Sequence, residues 1–338
     1  MRVLAAIIVL LLVQSGAAQQ QSAEKTKPHA DAEEVIRVDS NLVSVPISVA
    51  DRDGKFVANL KASDFQLFDN ERERRIEYFE SSEQPFSVLL LLDTSGSTAS
   101  RLEDIKSSAL ALIDQLKPND RILPLTFDAQ IKPLLPNWTS DQAVLRKTIQ
   151  NVRMEVDLNL AKKKVETMRG MKIVKYYVNT RLYDAVQYAV EVCRQIPGRK
   201  AVILLSDGFD TGSEKASYKS TLRQVAELDA LFYTVNYGKQ RGLARDTLKP
   251  AEWDALEYMK SLAEKSGASF RQAQDVQKVN EAFTAIAQEL RQTYTLGFYV
   301  DANDAAPEDR KLKVKTKQPK LVVRGRKTYV FKPKETNK

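Results

Sequence analysis

Phe86 to Ser97 reads FSVLLLLDTSGS, and the rest of the chain is arranged around it. Val88 to Leu92 is an unbroken apolar run, short enough for a strand buried on both faces, as in a parallel sheet between helices. The run stops at Asp93-Thr94-Ser95-Gly96-Ser97, where an acid and two hydroxyls alternate. In extended backbone Asp93, Ser95 and Ser97 point the same way, off the end of the sheet. Gly96 lets the chain turn, and the amphipathic segment Ser100 to Lys117 can follow as a helix. Three small oxygen ligands at the carboxyl end of a buried strand suit a hard cation such as Mg2+, which takes an octahedral shell with few carboxylates and some water.

Asp-x-Ser-x-Ser after an apolar strand resembles the metal-ion-dependent adhesion site of von Willebrand factor type A domains. The resemblance implies a Thr from a second loop and an Asp from a third. Thr180 stands in NTRLYDA before a helical pattern, and Asp207 stands in AVILLSDGFDTG after another apolar strand. Val178-Asn179-Thr180 occupies the place of the Gly-Gly-Thr common in the family. The similarity spans roughly Phe86 to Thr293, and the wider chain resembles the secreted bacterial branch of these proteins. It implies Mg2+ or Mn2+ held by Asp93, Ser95, Ser97, Thr180 and Asp207, with a partner protein's Asp or Glu filling an open position. Thr94 and Asp210 stand beside these ligands as the expected partner-binding rim, and Asp210 suits a surface role better than coordination.

The N-terminus, MRVLAAIIVLLLVQSGAAQQ, has a basic residue, an apolar run from Val3 to Val13 and small residues up to Ala18. This predicts a secretory signal peptide over 1–18 and a secreted or periplasmic mature chain. No Cys near Ala18 supports a lipid anchor, and no later segment is long and apolar enough to cross a bilayer. Cys193, the only cysteine, shares a helical stripe with Leu182, Val186 and Ala189 and reads as core rather than as a reactive thiol. His29 is the only histidine. Its position in a polar segment removes Ser-His-Asp and Cys-His catalysis and any zinc site built on His. No Gly-rich phosphate loop with its Lys is present, and Ser95 stands where a dehalogenase-type phosphatase needs a second Asp.

The net charge is +8, yet residues 310–338 alone hold 12 Lys or Arg against one Glu, which leaves −3 for everything before them. Lys311, Lys313, Lys315 and Lys317 alternate with Leu312, Val314 and Thr316. The row reads as the solvated face of an edge strand, or as a surface drawn to an anionic envelope polymer or lipid. Export and the lack of basic-aromatic interleaving argue against nucleic acid.

Strands are predicted at Ser87–Leu92, Arg121–Phe127, Lys200–Ser206, Ala230–Asn236 and Ser269–Arg271. Helices are predicted at Arg101–Leu116, Asp141–Gln150, Arg181–Gln195, Ser217–Leu228, Ala251–Ser266 and Val276–Gln292. This alternation is α/β: a doubly wound, mostly parallel sheet, Rossmann-like in its winding. Short strands flank it on both sides, at Val43–Val49, Phe56–Leu60, Phe65–Phe68 and Arg75–Phe79, and again after Thr293. Pro46 points to an edge strand or a bulge. The two flanks are expected to pair into one small β-sandwich with the α/β domain inserted. The boundaries are 1–18 signal peptide, 19–34 linker, 35–83 first sandwich part, 84–293 α/β domain, 294–333 second sandwich part and 334–338 basic tail. Asn151 to Tyr177, rich in Lys and Met, reads as an exposed helical extension or as a rim near the metal. Three function classes stay open at this point. They are a metal-dependent binding module, a scaffold with a stabilising metal, and a metal-dependent hydrolase that lacks a separate general base. The chain is read as a non-enzyme.

Overall fold

The structure, a computed structural model, describes residues 42–81, 85–154, 162–168, 171–177, 179–238, 249–300 and 309–331. The predicted signal peptide, linker and basic tail lie outside these. In β1 (Leu42–Ala50), Val43, Val45, Ile47 and Val49 alternate inward and are buried. Phe56–Leu60, expected as a strand, makes only an isolated bridge between Ala50 and Phe56. Tyr294 replaces the ladder there. Its hydroxyl accepts from the Leu60 N–H at 3.1 Å and donates to the Val57 carbonyl at 2.9 Å. After β2 (Phe65–Asp69), the strand expected at Arg75–Phe79 is displaced: β3 (Arg72–Arg74) ends before it, and β4 (Tyr78–Glu80), in a different sheet, overlaps only its last two residues.

β5 (Phe86–Asp93) is buried along its whole length. It is followed by α1 (Leu102–Ile113), β6 (Arg121–Phe127), β7 (Ile131–Pro133), α2 (Gln142–Gln150), β8 (Lys162–Met168) and β9 (Met171–Tyr177). Then come α3 (Leu182–Arg194), β10 (Arg199–Ser206), α4 (Tyr218–Glu227), β11 (Leu231–Asn236), α5 (Pro250–Ser266), β12 (Phe270–Gln272) and α6 (Val276–Arg291). The sheet order is β12-β11-β10-β5-β6-β7, parallel except for β7. Val88, Leu90 and Leu92 pack with Ile105 of α1 and Phe283 of α6 on one face. Leu89 and Leu91 pack with Val186 of α3, Val225 of α4 and Leu262 of α5 on the other. Each such buried side chain contributes about 1.5–3 kcal/mol, so β5 is the rigid axis of a doubly wound sheet. The carboxyl ends of β5 and β10 bring Asp93 and Asp207 to one end of that sheet.

Two elements differ from expectation here. β7 is a three-residue edge strand with no strong sequence signal. The segment read as a helical extension holds the antiparallel hairpin β8–β9, with Lys162 opposite Tyr177 and Met168 opposite Met171. Gly170, between a short run holding Val165 and Met168 and a run rich in Ile, Val and Tyr, is the available hairpin signal. The hairpin ends three residues before Thr180.

The chain returns as β13 (Thr293–Tyr299), β14 (Asp309–Thr316), β15 (Val322–Gly325) and β16 (Thr328–Val330). Two further sheets result, β15-β1-β13-β4 and β16-β14-β2-β3, each built from both flanks of the α/β segment. Ile47, Leu67, Leu296, Phe298, Leu312 and Tyr329 share one core between them. Two edge assignments change. β1 lies inside its sheet, but β15 reaches only Ile47–Ala50, so Pro46 stands where β1 has a single neighbour. β14 is also interior in sheet order, between β16 and β2, but β16 reaches only Asp309–Lys311, so the exposed Lys313 and Lys315 stand where β14 has β2 as its single neighbour.

Candidate metal centre

Asp93 ends β5 with no solvent exposure, and its carboxylate is oriented from two sides. The Ser95 N–H donates to Oδ1 at 3.0 Å, and the Ser206 hydroxyl donates to Oδ2 at 2.6 Å. Ser206 also accepts from the Gly208 N–H at 2.9 Å, which ties the first acid to the loop carrying the second. The Ser95 and Ser97 hydroxyls lie 3.1 Å apart. Thr98 fixes the turn between them, donating its hydroxyl to the carbonyls of Asp93 and Ser95, each at 2.9 Å.

Asp207 is 8% exposed and follows β10. Asn236, at the end of β11, donates its amide to the Asp207 carbonyl at 2.9 Å. Gly208 has φ +88°, and a side chain there would meet the Ala255 carbonyl at 2.7 Å and the Met259 sulfur at 3.0 Å. Only glycine fits both the left-handed backbone and that close approach of α5. Thr180 is buried ahead of α3. Its N–H donates to the Thr211 hydroxyl at 2.8 Å, and its carbonyl accepts from the Thr211 and Gly212 N–H groups at 2.9 and 3.0 Å. The second loop is thereby anchored to the third.

Of the two residues expected on a rim, Thr94 is buried and Asp210 is half-buried. Thr94 is buried, and its N–H donates to the Phe127 carbonyl at 3.0 Å. Asp210 accepts from the Tyr183 N–H at 3.1 Å in the first turn of α3 and from the Ser213 hydroxyl, which makes it a helix-end acid. Asp184 does similar work one turn on, accepting from the N–H groups of Glu214, Lys215 and Ala216.

Burial, and then the charge of Asp207, push the Asp93 carboxyl up to about 7. Burial also raises Asp207, against hydrogen bonds from Ser97 and the Phe209 N–H and the field of Arg101. Among the described residues no ion pair reaches either acid, and no cluster of three or more His, Cys, Asp or Glu is formed. Two adjacent, buried, unneutralised carboxylates with serine hydroxyls beside them are the donor set of a small hard cation, and the residues fit one. Sequence reasoning missed Ser206, Asn236 and Gly208 as the supports of this set. Ser206 and Gly208 carried the one available signal, since they flank Asp207 at the end of an apolar strand.

Residues 88–209 match the family model of the von Willebrand factor type A domain, and the chain carries a domain of that type. The uncharacterized protein sll0103 of Synechocystis is 37% identical over 73 residues, which are 21% of this chain and 17% of that protein. The chain thus spans about a sixth of the curated relative it matches. Among solved structures, a von Willebrand factor type A protein from Catenulispora acidiphila is 11% identical, with 79% of this chain and 73% of that chain covered and a TM-score of 0.45. Proximal thread matrix protein 1 of the mussel byssus, with a zinc-occupied MIDAS motif, is 12% identical, covering 66% and 49%, TM-score 0.44. The vWF domain of the type V pili tip protein Mfa5 from Porphyromonas gingivalis is 14% identical, covering 60% and 94%, TM-score 0.40.

Proposed function

We propose that this type A domain belongs to an exported binding module that holds Mg2+ or Mn2+ through Asp93, Ser95, Ser97, Thr180 and Asp207 and captures a carboxylate of a partner protein. The observation that carries the reading is the pair of buried acids, Asp93 and Asp207, neither of which stands in an ion pair among the described residues. A divalent ion bound there supplies an electrophilic position for an acidic oxygen. The chain's own part is to aim the acids, with Ser206 and Ser95 bonding the Asp93 carboxylate and Asn236 bonding the Asp207 carbonyl, and to keep neutral hydroxyls in the shell. Neutral donors leave more of the ion's charge for an incoming ligand. Hydrolysis is disfavoured, because the sequence offers no histidine base outside its polar N-terminal segment.

Calorimetric titration of the mature chain with MgCl2 should show about one site. Asp93→Ala should abolish it while the circular dichroism spectrum stays unchanged. Equal affinity in both proteins ends the metal assignment. An Asp-containing peptide should bind in Mg2+ and not in EDTA; binding that survives EDTA moves recognition away from the metal. A metal that only stabilises the fold would raise the melting temperature without any ligand capture.

A second reading concerns the envelope surface. Lysines commonly protect exposed sheet edges, and Lys313 and Lys315 do stand where β14 pairs with β2 alone, but Lys311, which pairs with β16, continues the same exposed row. Residues i and i+2 of an antiparallel strand are about 6.8 Å apart, which gives a regular row of point charges toward an anionic polymer. Replacing all three by Gln should weaken binding to a polyphosphate of defined length and flatten its salt dependence. Unchanged binding removes this reading.

A further inference from the structure

Beside Asp207 stands a cation that the metal shell does not require. Arg101 closes the 3-10 turn Ala99–Arg101, four residues after Ser97. Its Nη1 donates to the Tyr237 carbonyl at 2.8 Å, and its guanidinium carbon lies 4.3 Å from the centroid of the Tyr237 ring. Tyr237 is held in turn. Its N–H donates to the Ser206 carbonyl at 2.8 Å, and its hydroxyl donates to Asp104 at 2.6 Å. On either side of it, Asn236 bonds the Asp207 carbonyl, and a side chain at Gly238 would sit 3.4 Å from Asp207 Cβ. Arg101 is therefore fixed at the edge of the Asp207 loop, half-buried. Among the described residues, one of its five N–H donors is used.

Two physical points follow. A free arginine side chain has many rotamers to lose on binding, and the stack and the hydrogen bond have removed much of that freedom before any ligand arrives. A fixed cation next to a cation site also opposes metal binding. Asp93 and Asp207 together balance a divalent ion, so Arg101 leaves the occupied site one positive charge in excess. Asp104 is engaged by the far end of Tyr237 and makes no ion pair with Arg101 among the described residues. One monoanionic ligand restores neutrality.

We propose that Arg101 is a specificity-determining residue of the carboxylate site, a preorganised guanidinium that compensates the ligand's charge and selects an acid over its neutral amide. This rests on the metal-dependent capture proposed above. Carboxylate and guanidinium match as a planar fork, which an ammonium at the same place does not reproduce.

The test uses the mature chain, with Mg2+ affinity read by calorimetry in potassium acetate, acetamide or potassium chloride at fixed ionic strength. If metal and carboxylate share the site, linkage requires acetate to tighten Mg2+ binding, on the order of 5- to 10-fold at saturation, with acetamide inert. In Arg101→Gln, Mg2+ affinity without acetate should rise severalfold, and the acetate effect should fall below about twofold. Arg101→Lys, which keeps the charge, should keep the lower basal Mg2+ affinity and only part of the acetate effect. Melting curves of both variants near wild type confirm folding. If Arg101→Gln keeps the whole acetate effect, the role of Arg101 is overturned and capture stands. If wild type shows no acetate effect, carboxylate capture fails and this inference falls with it.

Discussion

Asp69 in the sandwich and Asp93 at the end of β5 are withdrawn from water to 1% and 0% exposure, yet their surroundings are opposites. Asp69 accepts from Arg74 at 2.8 Å, from Arg310 at 3.2 Å and from the Tyr329 hydroxyl at 3.1 Å, so one carboxylate ties β2 to β3, β14 and β16. Asp93 accepts from neutral donors only, and its nearest charge is a second acid. A buried acid supplied with cations by its own chain is a fixture of the fold. One left with hydroxyls and another acid is arranged for a cation from outside. Burial costs several kcal/mol per ion in either case, and what differs is where the compensation comes from.

The sharpest way to break this contrast is to remove each charge in turn. Asp69→Asn removes the carboxylate charge that Arg310, also 1% exposed, meets at 3.2 Å. The sandwich should lose about 3–5 kcal/mol in urea denaturation, equally with and without Mg2+. Asp93→Asn should behave in the reverse manner. It removes a repulsion, so the metal-free protein should be no less stable than wild type, while the stabilisation by Mg2+ disappears. If Asp93→Asn costs as much as Asp69→Asn in EDTA, both acids are structural and the contrast fails.

Proton linkage sharpens the same point. The folded chain holds the Asp93 proton up to about pH 7, whereas an unfolded Asp releases it near the ordinary aspartate value of about 4. Between those values the folded state binds more protons, so stability of the metal-free protein falls as pH rises from about 4 to about 7 and levels off above. Mg2+ must displace that proton. Its apparent affinity should therefore climb about tenfold per pH unit up to about 7, or roughly 100-fold from pH 5 to 7. Calorimetry in two buffers of different ionisation enthalpy should show close to one proton released at pH 6. A flat profile would mean that Asp93 is ionised throughout and needs no external cation.

Gly208→Ala probes the support rather than the charge. Left-handed backbone costs a non-glycine residue about 1–2 kcal/mol, and the contact with the Ala255 carbonyl adds to that. We expect a loss of about 2 kcal/mol by denaturation, with Mg2+ affinity reduced because the Asp207 loop must shift. Unchanged stability and affinity would show the loop to be loose.

The parts of this protein written locally were the ones legible in its sequence. β5 and its hydroxyl loop lie within twelve consecutive residues, and the helices of the α/β segment announced themselves through their apolar faces, α6 by Val279, Phe283, Ile286 and Leu290. Pairing of the two flanks into a sandwich was legible too, because neither had strands enough for two sheets. The buried cluster around Asp69 was not, since its members at 69, 74, 310 and 329 meet only once the fold exists. The hairpin β8–β9 was misread because its lysines blur the alternation of its apolar residues. Thr94 and Asp210 are assigned to a rim on proximity alone; a hydrogen bond to Phe127 accompanies the burial of Thr94, while Asp210 stays half-buried and accepts from the Tyr183 N–H.

Ser206 is the smallest handle on the comparison and the most diagnostic. Its hydroxyl donates to Asp93 Oδ2 at 2.6 Å, a bond that favours the ionised acid and opposes the upward push of burial. Asp69 has a guanidinium in the corresponding role. Ser206→Ala should therefore raise the Asp93 pKa further, so the pH at which Mg2+ affinity reaches its plateau moves up. Affinity at pH 7 should fall by about tenfold, the lower end of what outer-shell partners of a metal site contribute. Well above the shifted pKa the loss should shrink, because Asp93 is then ionised in both proteins. A residue that only packs the loop would lower affinity by the same factor at every pH. Ser206→Thr, which keeps the hydroxyl, should restore the wild-type profile. A pH-independent loss in Ser206→Ala, or no rescue by Thr, would mean that Asp93 is tuned by burial and Asp207 alone.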